Sequence, residues 1–129
     1  MILVDTSVWV EVLRRREPLD LESVVDFADI VTCPPIVQEV LQGIRDPAAF
    51  RLAQHSMLAL PIVESPMPIE VWLDAAQLYR LARAGGVTIR SGTDCLIAAC
   101  ALRHDLQVLH RDRDYAGLAR VSALRQREP

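Results

Sequence analysis

At 129 residues, half of them hydrophobic (51%) and about a quarter charged (24%), the chain is large enough to bury roughly 65–70% of its unfolded surface without disulfide or metal staples. That composition excludes a disordered segment and fits one globular domain over residues 1–129. The formal net charge of −3 excludes a generic nucleic-acid coating protein, which would be strongly basic. Carboxylates gathered around a metal ion are neutralised by it, however, so bulk charge understates the potential a phosphate would meet.

Strand-like and helical patterns alternate along the chain. Ile2–Val4 is a short β-prone run, and Thr6–Arg14 follows with Val8, Trp9, Val12 and Leu13 at helical spacing. Pro18 opens a second short helix carrying Leu21, Val24, Val25 and Phe27, and Ile30–Cys33 is the next strand. Pro34-Pro35 stops that strand and starts a helix through about Leu41. Asp46-Pro47 places an N-cap before a proline at the first helical position, starting a helix to about Met57. Leu58–Val63 is a weak strand. Ile69–Ala84 is a long helix stopped by Gly85-Gly86.

The last third is the clearest. Ser91 and Thr93 offer hydroxyl caps for a helix from Asp94 to about His104, whose eight consecutive apolar residues, Cys95–Leu102, predict burial nearly all round. Leu106–His110 is a strand and Tyr115–Ala119 a short helix. This alternation predicts an α/β protein, a three-layer α/β/α sandwich around a parallel sheet. Cys33, Cys95 and Cys100 are odd in number and lie in apolar surroundings, so they read as buried free thiols of a reducing compartment. Three apolar residues after Met1 are too few for a signal peptide, and no apolar run approaches the ~20 residues of a membrane span. The expected location is cytoplasmic, with no membrane partner.

Carboxylates recur at element boundaries: Asp5 after the first strand, Asp94 at the start of the buried helix, Asp112 after the strand Leu106–His110. Ligands of open α/β sheets bind outside the carboxyl ends of the strands, so these three can meet at one edge. Each also fits a plainer role. Asp5 and Asp94 suit helix N-termini, Asp112 and Asp114 suit turns or ion pairs, and Glu39 falls on the polar side of its helix with Gln38 and Gln42. His55, His104 and His110 share no ligand spacing, no Gly-x-Ser-x-Gly or phosphate-cradling glycine loop is present, and an aspartyl-nucleophile motif is likewise missing. The remaining chemistry is oxygen-rich, which selects Mg²⁺ or Mn²⁺.

Four segments carry a family resemblance. Ile2-Leu3-Val4-Asp5-Thr6-Ser7-Val8-Trp9, Pro35 to Gly43 around Glu39, Gly92-Thr93-Asp94-Cys95-Leu96-Ile97-Ala98-Ala99, and His110-Arg111-Asp112-Arg113-Asp114-Tyr115 resemble, in order and spacing, the PIN-domain ribonucleases. The resemblance is strongest to the VapC toxins of bacterial toxin–antitoxin pairs and runs from residue 2 to about residue 119. It implies a PIN-like fold and an acidic quartet of Asp5, Glu39, Asp94 and Asp112. Asp5, Asp94 and Asp112 would be metal ligands, and Glu39 would act through bound water or as a base. Asp114 stands as an alternative to Asp112. One departure is Tyr115, where phenylalanine is common.

The implied activity is Mg²⁺-dependent endonucleolytic cutting of structured RNA such as tRNA or rRNA. A cognate antitoxin would silence it, and an inactive protein- or RNA-binding module is the alternative. Arg14, Arg16, Arg90, Arg111 and Arg113 are placed either for RNA phosphates or for the neighbouring acids. The Ile69–Ala84 helix, with Trp72, Ala76 and Tyr79 along one stripe, is the expected homodimer contact.

Overall fold

The computed structural model describes residues 1–129. Four short strands, β1 (Ile2–Val4), β2 (Ile30–Val31), β3 (Gln107–Leu109) and β4 (Arg125–Arg127), form one sheet in the order β2-β1-β3-β4. Every pairing is parallel, with Leu3 opposite both Val31 and Val108, and Val108 opposite Gln126. Six helices complete the α/β/α sandwich: α1 (Thr6–Leu13), α2 (Pro34–Gln42), α3 (Pro47–Leu58), α4 (Ile69–Ala84), α5 (Gly92–Arg103) and α6 (Arg113–Ala119).

Because the strands are parallel, their carboxyl ends open on one edge. The chain leaves β1 at Asp5, β2 at Thr32-Cys33 and β3 at His110. The backbone seals this edge: Asp5 N donates to Leu109 O (2.9 Å) and His110 N to Arg127 O (3.0 Å). Thirty buried apolar residues make one continuous core. Within it α5 is buried from Asp94 to Ala101 without a break, and α4 runs along it. All three cysteines are free and buried.

Three elements differ from the sequence expectation. The helix after Pro18 is replaced by two single 3₁₀ turns, Leu21–Ser23 and Phe27–Asp29. Asp26 caps the second by accepting from Ala28 N (2.9 Å), a local bond that competes with a continuous helix. The strand over Leu58–Val63 shrinks to one parallel bridge between Thr32 and Ile62. There α3 continues to Leu58, and Pro61 has no N–H to extend a ladder. The strand β4, Arg-Gln-Arg, has no apolar alternation to announce it.

Gly117 on α6 positions the loop that reaches the site. A Cβ there would meet Val87 Cγ1 at 2.7 Å, so a larger residue would force the Val87 side chain to shift where the Val87–Ile89 segment lies against α6. The next two residues, Arg90 and Ser91, then present their backbone amides to α6.

Candidate active site

Asp5 ends β1 and is the N-cap of α1. Its Oδ2 accepts from Ser7 N (3.0 Å) and from Ser7 Oγ (2.6 Å). Ser7 Oγ also accepts from Arg111 N (2.9 Å), tying α1 to the loop after β3. Asp112 is the N-cap of α6, its Oδ1 accepting from Asp114 N (2.9 Å). Asp114 is buried in the first turn of α6, where its Oδ2 accepts from Arg90 N (3.0 Å) and Ser91 N (3.2 Å). Asp94 sits in the first turn of α5, 5% exposed. Ser91 occupies that helix's N-cap position without a side-chain capping bond, so neither it nor a carboxylate cap accounts for Asp94.

Asp94, Asp112 and Asp114 each offer an oxygen, and these three lie within 4.8 Å of one another. Asp94 Oδ2 and Asp114 Oδ1 are buried without a hydrogen-bond partner. The nearest cation to Asp114 is the Arg90 guanidinium, 3.9 Å from both Asp112 and Asp114. Burying unpaired carboxylate oxygens costs several kcal/mol unless a cation or proton compensates. Hard oxygen donors at this spacing fit a divalent cation such as Mg²⁺ or Mn²⁺.

Asp5 joins the cluster through Tyr115. That fully buried phenol lies 2.6 Å from Asp5 Oδ1 and 3.3 Å from Asp94 Oδ1. Burial, followed by the charges of Asp5 and Asp94, raises the Tyr115 pKa far above its usual range, so the group stays a hydroxyl donor. Glu39 approaches from α2, half-buried, and accepts from Thr6 Oγ1 (3.1 Å). Its pKa is raised by burial and by Asp5 and Asp112, against the lowering effect of Thr6. Asp94 is pushed up to about 9, first by burial, then by Asp114, Asp112 and Asp5. Without a cation, therefore, this environment favours the protonated form of Asp94.

The predicted arginines divide. Arg14 donates to Glu17 O (3.0 Å), and Arg111 pairs with Glu11 (2.9 Å). Arg16 and Arg113 are exposed and make no ion pair. Sequence reasoning passed over three contributors. Thr6 and Ser7 act as hydrogen-bond partners rather than as nucleophiles. Tyr115 was visible only as a substitution for phenylalanine. An apolar hollow of about 350 Å³ beside Trp9, Leu13, Phe27 and Leu52 has no carboxylate in its lining, so the charged chemistry lies elsewhere.

A family model for the PIN domain matches residues 2–122. The chain belongs to the PIN-domain family. Within it the protein groups with the VapC-type ribonucleases: Ribonuclease VapC11 of Mycobacterium tuberculosis is 38% identical over 129 residues, covering 96% of each chain. Among solved structures, FitAcB from Neisseria gonorrhoeae superposes with a TM-score of 0.71 at 25% identity, over 98% of this chain and 96% of that one. VapBC2 from Rickettsia felis, solved bound to a DNA fragment from their promoter, superposes at 0.74. It covers 100% of this chain and 99% of that one at 16% identity, a likeness of fold alone. No helix of this PIN domain is long and apolar enough to cross a membrane.

Proposed function

We infer that this PIN domain is an Mg²⁺-dependent endoribonuclease, with Mn²⁺ as a working substitute, and acts as a cytoplasmic toxin on structured RNA such as tRNA or rRNA. The observation that carries this reading is the convergence of Asp94, Asp112 and Asp114 with two orphaned buried oxygens, in a chain 38% identical to a ribonuclease. Asp94 and Asp112 would hold the ion, Asp114 would add a further oxygen, and Asp5 would complete the set from β1. A divalent ion supplies Lewis-acid stabilisation of phosphoryl charge and lowers the pKa of its water.

The chain's own groups do the rest. On this reading Glu39, with its pKa raised by burial, would take a proton from water. Arg16 and Arg113 are free to meet RNA phosphates, and Arg90 faces both Asp112 and Asp114. Purified protein is expected to cut RNA with Mg²⁺ or Mn²⁺ and to stop with EDTA. Asp5→Asn should abolish cutting while circular dichroism stays native; full activity in that variant removes Asp5 from the site.

The toxin reading implies a partner antitoxin, supported by neighbours solved as VapBC and FitAB assemblies. On this reading the antitoxin covers the acidic edge, so a saturated complex should not cut. The α4 helix carries Ile69 (65% exposed), Trp72 (53%) and Leu73 (62%) on its outer side, with Tyr79 less exposed. Apolar side chains grouped on one exposed helix face fit a protein contact and support a two-fold homodimer through α4. Light scattering at micromolar concentration should give twice the chain mass. Trp72→Glu should halve that mass, and a strict monomer for the unmodified protein overturns the dimer.

A further inference from the structure

A buried tyrosine whose oxygen touches two carboxylates is an odd choice for packing alone. Phenylalanine would fill the same space on α6 with no hydroxyl to satisfy. Tyr115 is fully buried, and its hydroxyl is 2.6 Å from Asp5 Oδ1 and 3.3 Å from Asp94 Oδ1. It carries one proton, and the shorter contact assigns that proton to Asp5.

An ionised carboxylate has about four acceptor sites, two on each oxygen. On Asp5, Oδ2 is filled by Ser7 N and Ser7 Oγ, and one site of Oδ1 is filled by Tyr115. Three donors therefore hold the carboxylate from three sides, and one Oδ1 lone pair remains. Chelation of a cation through both Asp5 oxygens would break at least one of these bonds.

We propose that Tyr115 is a positioning residue for the metal site: with Ser7 it locks Asp5 so that this carboxylate offers one lone pair, from Oδ1, to a cation on Asp94, Asp112 and Asp114. The proposal rests on the metal-dependent reading given above. Hydrogen-bond donors behind a metal-binding carboxylate fix its orientation, and their loss typically weakens metal binding about 10- to 100-fold.

The test is Mn²⁺ binding to the full-length protein, read from the free-ion signal in electron paramagnetic resonance, with no RNA present. Tyr115→Phe should raise the Mn²⁺ Kd about 10- to 100-fold while far-ultraviolet circular dichroism is unchanged. Ser7→Ala, which removes a different donor from the same carboxylate, should weaken Mn²⁺ in the same direction. A purely structural hydroxyl would lower the metal-free melting temperature and leave the Kd within twofold, which overturns the proposal. A tighter Kd overturns it as well, because the hydroxyl would then be competing with the cation for Asp5. If the unmodified protein binds no Mn²⁺, the metal-dependent reading fails and this inference falls with it. If the unmodified protein binds and Tyr115→Phe binds equally, only this inference fails.

Discussion

Asp94→Asn is expected to make the metal-free protein more stable at pH 8, by about 2–4 kcal/mol or ~8–15 °C in melting temperature. Asp94 is 5% exposed and has an oxygen with no partner. Burial, then Asp114, Asp112 and Asp5, push its pKa up to about 9. In the unfolded chain the same group titrates near 4. Between those values the folded state holds a proton that the unfolded state has lost, so stability falls as pH rises. The contribution is whole below pH ~4, declines through the window, and is gone above about 9.

An amide at residue 94 cannot ionise, so the slope should flatten in the variant. Divalent metal should reverse the ranking. An ion bound at the proposed site would stabilise the unmodified protein by mass action, whereas the amide would remove a ligand charge and most of that gain. Melting curves at pH 5, 7 and 9, with EDTA and with millimolar Mn²⁺, read all of this. A metal-free melting temperature that is flat in pH for the unmodified protein would contradict the buried, protonated state of Asp94.

The second large effect separates two acids that lie two residues apart. Asp114→Ala should cost about 3 kcal/mol, near 10 °C, because it strips the acceptor from two backbone amides, Arg90 N and Ser91 N. Asp112→Asn should cost less than ~1 kcal/mol, since an asparagine keeps the N-cap bond to residue 114. The same Asp112→Asn should weaken Mn²⁺ at least tenfold by calorimetry. Melting and calorimetry on both variants decide the matter. If Asp112→Asn unfolds the chain while Asp114→Ala melts normally, the roles have been exchanged.

Much of this was legible in residue order. The α4 boundaries, Ile69 and Ala84, follow from the prolines before and the glycine pair after, and Asp46-Pro47 opens α3 through a bond from Ala49 N (2.8 Å). The burial of α5 follows from its unbroken apolar run. Elsewhere, tertiary contacts decide. The strand β4 is hydrophilic and exists because β3 offers it an edge. The Pro18 helix gave way to two short turns, the second capped by Asp26. At the site, residue order placed Asp5, Asp94 and Asp112 at strand and helix boundaries. It could not show that Asp114 turns inward to the Arg90–Ser91 loop, or that Tyr115 spans Asp5 and Asp94. Both depend on how α6 rotates as it packs, with Gly117 leaving the space that Val87 occupies.

The order of the strands carries a consequence for synthesis on the ribosome. β1 lies between β2 and β3, so its inner partner, Gln107–Leu109, emerges more than a hundred residues later. Ser7 finds Arg111 and Asp5 finds Tyr115 across separations of 104 and 110 residues. Such long-range pairing forms late and slowly. A nascent chain that has not reached residue 112 has Asp5 and Asp94 but lacks Asp112, Asp114 and the Tyr115 hydroxyl that links the first two. The acidic cluster is thus incomplete during synthesis until the α6 segment has emerged to join it.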